Sequence, residues 1–151
     1  VWQFNEPWRN VSCTNLVEYD LTPKLAYRWL KNAFAQVAAS LKYDALALNE
    51  GETAQYGVYL SAFGHPGRYR VGWHAEADDG QALLQGESEL DAPDGCAQVS
   101  SFELVAPAGL FFVTLSVYQG KNKVHDNLYF FSAGVQPSFR RLPQAMEGRN
   151  F

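Results

Sequence analysis

Two hydrophobic periods divide this chain. Over "YDLTPKLAYRWLKNAFAQV" apolar positions recur at helical spacing: Ala26, Leu30, Ala33, Phe34 and Val37 share a stripe, while Lys24, Arg28, Lys31 and Asn32 face away. Thr22 can cap and Pro23 suits the first helical position, so the pattern predicts an amphipathic helix over residues 23–36. From residue 38 the period falls to two. "SLKYDALAL", "TAQYGVYLSAF", "GRYRVGWHAEAD", "ADDGQALLQGESEL" and "CAQVSSFELVA" each read as a strand, and "LFFVTLSVYQGKNKVHDNLYFFSA" as a hairpin of two more. Tyr69, Val71, Trp73 and Ala75 alternate with Arg70, His74 and Glu76; Phe111, Val113, Leu115 and Val117 alternate along the hairpin. About seven turn-punctuated strands over roughly a hundred residues predict a mainly β fold, an Ig-like antiparallel β-sandwich with Trp73 in its core. The cysteine pair that flanks such a tryptophan in antibody domains is absent.

Ahead of the helix, "VWQF" reads as a short strand and "NEPWRNVSCTN" as a loop. The organisation expected is therefore a strand–loop–helix preface in residues 1–37, a sandwich in 38–134, and a polar tail in 135–151 reading as linker or truncated continuation. A preface of this size cannot form a domain, so its helix face must pack on the sandwich or on something outside this sequence. The chain starts mid-pattern at Val1, which reads as an excised piece.

Composition narrows the function classes. The 151 residues are 47% apolar and 15% aromatic, which excludes a disordered chain. Twelve Lys and Arg against sixteen Asp and Glu give no reason to expect nucleic acid or an anionic membrane as partner. No apolar run nears the roughly 20 residues that span a bilayer. The two cysteines, Cys13 and Cys96, have no zinc spacing and read as separate thiols. His65, His74 and His125 are scattered and read as surface or hydrogen-bonded side chains, "ADDG" as a turn with too few oxygens for calcium, and Lys121 and Lys123 as loop lysines. No metal or organic cofactor is implied.

The preface carries the informative letters. Trp2, Gln3, Asn5 and Trp8 are followed by Glu18-Tyr19-Asp20 and then Pro23-Lys24-Leu25-Ala26-Tyr27. This order resembles glycoside hydrolase family 2, particularly its β-mannosidase-like members. There the last strand of the catalytic (β/α)8 barrel reads Trp-Gln-x-Asn-Asp-x-Trp-Pro, and Pro-Lys-x-Ala-Tyr opens the final barrel helix. The hairpin, with its Asn-x-Tyr-x-phenyl pattern, resembles the same family's post-barrel Ig-like domain, and "SFRRLP" the link to a further domain. Glu6 stands where the family commonly has Asp, and Arg9 replaces a usual Pro.

The resemblance implies the C-terminal part of a retaining glycosidase (an O-glycosyl hydrolase) acting on a β-linked terminal sugar of mannoside or galactoside type. Its partners would be that carbohydrate substrate and the rest of the catalytic barrel. Retention needs two carboxyl groups about 5–5.5 Å apart, and in the family both arise on earlier strands. "FNEP" looks like the Asn-Glu of a barrel acid, yet one helix and a sandwich follow it, so no catalytic residue is expected here and the piece alone should be inactive. Trp2 takes by carry-over the role of a sugar-stacking wall, with Asn5, Glu6 and Trp8 as further substrate-binding candidates; the alternative is that both tryptophans simply pack against the barrel. A non-catalytic carbohydrate-binding sandwich would instead show an exposed aromatic strip, for which Tyr56, Tyr59, Tyr118 and Tyr129 are candidates. An adhesion module would use the helix to dock a partner.

Overall fold

In the computed structural model, residues 3–9, 15–134 and 142–146 are described, and the chain forms two units, Val1–Ala35 and Gln36–Phe151. The first contains β1 (Gln3–Asn5), β2 (Asn15–Val17) and α1 (Leu25–Ala33). β1 and β2 pair in parallel. The helix begins later than the capping pattern predicts. Lys24, not Thr22, is its N-cap residue, and no side chain caps it. The reason is that residues 22–24 remain extended against β2: Pro23 bridges Val17, and the Lys24 N–H donates to the Leu16 carbonyl.

The second unit runs β3 (Ala38–Lys42), β4 (Ala47–Leu48), β5 (Thr53–Ser61), β6 (Gly67–Ala77), β7 (Ala82–Ala92), β8 (Cys96–Val105), β9 (Gly109–Gln119), β10 (Asn122–Ala133) and a single helical turn, α2 (Leu142–Ala145). Two sheets form, β3-β5-β8 and β4-β10-β9-β6-β7, packed as an Ig-like antiparallel sandwich. Strands two to seven of the expected order appear as read. The first does not stay whole. It breaks after Lys42, so that β3 pairs antiparallel with β5 while β4 crosses to the other sheet and runs parallel to β10. Tyr43, at the break, turns edge-on to Phe131 at 5.2 Å, which anchors the crossing in the core. Of the tail expected to be a linker, residues 135–141 and 147–151 lie outside the described residues; Met146 is buried.

Period-two alternation places the core as expected. Val71, Ala75, Phe111, Val113, Leu115 and Val117 are fully buried between the sheets. Trp73 packs against this cluster and stacks on Phe102 of the opposite sheet, centroids 6.1 Å apart and planes 5° apart. Phe102 stacks in turn on Tyr56 at 5.1 Å, and Tyr56 meets Phe131 edge-on at 5.2 Å. This file of rings ties the sheets together through large apolar contacts. Room for the indole comes from β7: a Cβ on Gly86 would lie 2.5 Å from the Trp73 ring.

One edge of β3 faces β10 rather than another strand, and three alternate side chains of β10 serve it. The Ala39 N–H donates to His125 Nδ1 at 3.3 Å, Asn127 Nδ2 donates to the Ala39 carbonyl at 3.1 Å, and the Leu41 N–H donates to Tyr129 Oη at 3.1 Å. Asn127 also donates to Tyr129 Oη. Backbone polar groups buried here would otherwise cost the fold their lost hydration.

Two substitutions probe this core. Gly86→Ala forces the rigid indole off Phe102 and should lower stability by about 1–3 kcal/mol in chemical denaturation. Tyr56 is the opposite case, because its hydroxyl is buried with no hydrogen-bond partner. Burial, with Glu52 adding its charge, pushes this phenol from 10.0 up to about 12. The unfolded chain therefore ionises first, so the stability that Tyr56 contributes below pH 10 is lost as pH rises from 10 through 12. Tyr56→Phe should raise neutral-pH stability by about 1 kcal/mol and flatten that alkaline fall, both read from denaturation midpoints across pH.

Candidate functional site

The residues that carried the resemblance lie in the first unit, organised around β2. Asn15, Leu16 and Val17 are all buried. On one side the Glu6 N–H donates to the Val17 carbonyl at 3.0 Å, extending the β1 pairing by one residue. On the other side a tight turn returns the chain. Glu18 N–H donates to the Thr22 carbonyl, Leu21 N–H donates to the Glu18 carbonyl, and Asp20 Oδ1 accepts from the Thr22 N–H at 3.0 Å. The hydrogen bonds from Thr22, side chain first, hold the Asp20 carboxyl below its usual 3.8. Leu21 sits at φ 70, a left-handed conformation that a branched side chain adopts at some strain. The turn sets Lys24 directly across β2 from Glu6.

The result is an ion pair with a buried carboxylate and a part-exposed amine. Lys24 Nζ lies 2.7 Å from Glu6 Oε1 and 3.7 Å from Glu18 Oε1; Glu6 is 2% exposed and Lys24 21%. The bond to Glu6 raises the Lys24 amine above 10.5, against an opposing effect of burial and with help from Glu18. That contribution is complete below pH 10.5 and is lost as pH rises through the elevated value. A cation at this distance opposes the protonated form that a general acid needs.

The other candidates sit differently. Asn5 ends β1 exposed, its Nδ2 donating to the Glu6 carbonyl at 3.4 Å. Trp8 is 62% exposed. Trp2 lies outside the described residues. Sequence reasoning missed Lys24 as a partner of Glu6, since a separation of eighteen positions gives no spacing signal; the turn at Leu21 brings them together. The helix stripe is not covered within the described structure. No residue of α1 is buried, and Phe4, Leu16, Tyr27, Leu30, Lys31 and Phe34 line an open apolar hollow of about 610 Å³.

In the sandwich the four tyrosines proposed for an aromatic strip do not form one. Tyr56 is in the core, Tyr129 serves the β3 edge, and Tyr59 and Tyr118 lie on strands of different sheets. His125 is buried and hydrogen-bonded, while His74 Nε2 lies 3.2 Å from Glu76 Oε2. Cys96 is a free, exposed thiol, and Cys13 is outside the described residues.

No protein-family model matches the chain, and no curated protein matches it. Among solved structures it is similar to the CARDB domain of a Pyrococcus furiosus protein, with a TM-score of 0.50 and 13% identity over 66% of this chain and 94% of that one. It is also similar to a glycosyl hydrolase family 2 member from Bacteroides cellulosilyticus, with a TM-score of 0.48 and 11% identity over 62% of this chain. A Parabacteroides merdae β-glucuronidase gives 0.48 and 14% over 65%. The chain spans only 14% and 13% of the length of those two enzymes. What the likeness to the CARDB domain shows is the sandwich fold.

The ion pair has a testable signature. Lys24→Met leaves the Glu6 carboxylate buried beside one cation fewer, whereas Glu6→Gln with Lys24→Met removes both charges. Hydrogen exchange of the β2 amides should therefore accelerate more in the single variant than in the double.

Proposed function

We propose that this chain is the C-terminal part of a retaining glycosidase of the family 2 type, acting on a β-linked terminal sugar such as a β-mannoside or β-galactoside. Residues 1–37 supply the last strand, loop and helix of its catalytic barrel, and residues 38–134 an Ig-like domain that supports the barrel. The observation that carries this reading is the unfinished state of the first unit. Phe4, Trp8, Tyr19, Leu21 and Phe34 are each more than half exposed, while Leu16 and Val17 are the buried apolar residues among those described in this unit; so small a core does not hold such a surface in water by itself. A strand and helix whose apolar sides meet preceding barrel elements account for it, and the Trp-Gln-x-Asn and Pro-Lys-x-Ala-Tyr order supports a family 2 barrel.

In this reading the end of β1 faces the sugar. The role of a wall on which the apolar face of the ring stacks falls to Trp2 by the resemblance; Asn5 and Trp8 are further exposed candidates, and Glu6 has its carboxylate engaged by Lys24. The reacting carboxyl pair comes from preceding strands. The chain alone is then a supporting piece and not a catalyst.

The test is an assay of the purified chain and of a version extended upstream through the missing strands. With nitrophenyl β-mannoside, β-galactoside and β-glucoside, the chain should release no nitrophenol, and the extended protein should hydrolyse one of them with retention. Trp2→Ala in the extended protein should cut kcat/KM by roughly ten-fold or more, the loss of about one stacking contact. Turnover by the chain itself that disappears in Glu6→Gln would overturn the reading.

A further inference from the structure

The outer face of the five-stranded sheet holds a trough of about 540 Å³, formed by β6, β7 and β9, whose centre is a missing side chain. In register, Gly72 of β6 lies between Glu87 of β7 and Ser116 of β9. Neither backbone nor packing calls for glycine there. Gly72 is not among the positive-φ residues, and an added Cβ would have the Gly86 carbonyl oxygen at 3.8 Å as its nearest neighbour, an ordinary contact. Gly86 is glycine because Trp73 fills its space. At Gly72 the space is empty. A glycine inside a central strand costs roughly 0.5–1 kcal/mol relative to alanine, and in strands it marks a bulge, a bend or the close approach of another molecule. The β6–β9 register runs unbroken through Gly72, which leaves the close approach.

The rim of the trough indicates what approaches. At one end Arg70 lies over the Tyr118 ring, 4.2 Å from its centroid, and pairs with Glu87 at 2.8 Å. At the other end His74 stands beside Gln85 and Thr114 in register, and neither Gln85 nor Thr114 makes a side-chain hydrogen bond within the described structure. Ser116 Oγ donates to Asp126 Oδ1 at 2.7 Å, and Asp126 is paired with Lys123. The cations of this face are thus matched: Arg70 by Glu87, Arg68 by Glu89, Lys123 by Asp126. An ionic ligand would have to break such a pair. A neutral polyhydroxyl ligand would not, and it suits a surface where donors and acceptors repeat every few ångströms at strand spacing.

We propose that this trough binds a neutral oligosaccharide, seated over Gly72 between the Arg70–Tyr118 ridge and the polar wall of His74, Gln85 and Thr114. The trough is open along its length, so it takes internal units of a chain as readily as an end. This site is built wholly from the second unit and does not depend on what residues 1–37 do.

The experiment is titration of the ¹⁵N-labelled chain with cellohexaose, mannohexaose and xylohexaose, followed by amide shifts. At least one should move the amides of Gly72, Gly86 and Ser116, with Kd near 1 mM or tighter. Gly72→Thr places a β-branched side chain in the trough, its Cβ in ordinary contact with the Gly86 carbonyl oxygen at 3.8 Å, so it should keep its melting temperature and lose affinity at least ten-fold. Gln85→Ala, on an exposed side chain, should weaken binding several-fold, and Val105→Thr, on a strand of the other sheet, should leave it unchanged. The proposal is overturned if none of the three sugars moves those amides, if Gly72→Thr binds as well as the parent, or if only an acidic oligosaccharide binds.

Discussion

A sandwich strand that ends a sheet must still find partners for the N–H and C=O groups on its open edge. Here the open edge is that of β3, and His125, Asn127 and Tyr129 supply the partners from one face of β10. The arrangement asks each to play a fixed part. His125 accepts through Nδ1, so that nitrogen must carry its lone pair; Asn127 donates; the Tyr129 hydroxyl accepts twice. Because the two strands belong to different sheets, these bonds also fix how the sheets meet along that side. The file of rings from Trp73 through Phe102 and Tyr56 to Phe131 does the same through the middle. Hydrogen bonds set the margin and apolar area fills the interior; the crossing of the chain between β3 and β4 is possible because both are in place.

Much of this was legible in the sequence. The period-two stretches gave strands because β-branched and aromatic residues alternate with polar ones at the pitch of a pleated chain, and Trp73 was placed correctly since its whole face is apolar. The break in the first strand was not legible: "SLKYDALAL" alternates from Ser40 to Ala45 and stays apolar to Leu48, and its division comes from long-range pairing with β5 and β10. The Thr22 cap failed for a similar reason. Local chemistry favours a helix start at Thr22 and Pro23, but pairing of Pro23 and Lys24 with β2 holds the backbone extended for two more residues. Tertiary hydrogen bonds outweigh a propensity of a few tenths of a kilocalorie. The tyrosines show the limit of composition: four aromatic residues suggest a binding strip, and parity along β5 and β10 sends two of them inward.

Glycine separates what packing requires from what it does not. Gly86 and Gly72 are near neighbours in the same sheet, and sequence alone treats them alike. The indole against Gly86 makes one a consequence of the core. Open space above Gly72 makes the other unexplained by the fold, and an unexplained cost in a central strand is the kind of signal that function leaves. The same contrast applies to charge. On the sandwich face each ion pair is exposed and worth little to stability, so the pairs there act chiefly to set the character of the surface.

Glu6 shows how one motif can hold opposite chemistries. A glycosidase acid must spend part of its time protonated at neutral pH, which requires an apolar or like-charged setting. Burial of Glu6 alone would supply such a setting. Lys24 opposes it: a cation lies 2.7 Å from Glu6 Oε1, and an opposite charge that close works against the protonated form of a carboxyl. The cation arrives where the chain turns through Leu21 in a left-handed conformation, so the backbone at that residue and the Glu6–Lys24 pair are linked. In the proposed barrel this makes Glu6 a brace behind the sugar-facing end of β1, and leaves the contacts to the exposed side chains of Asn5 and Trp8 on either side of it.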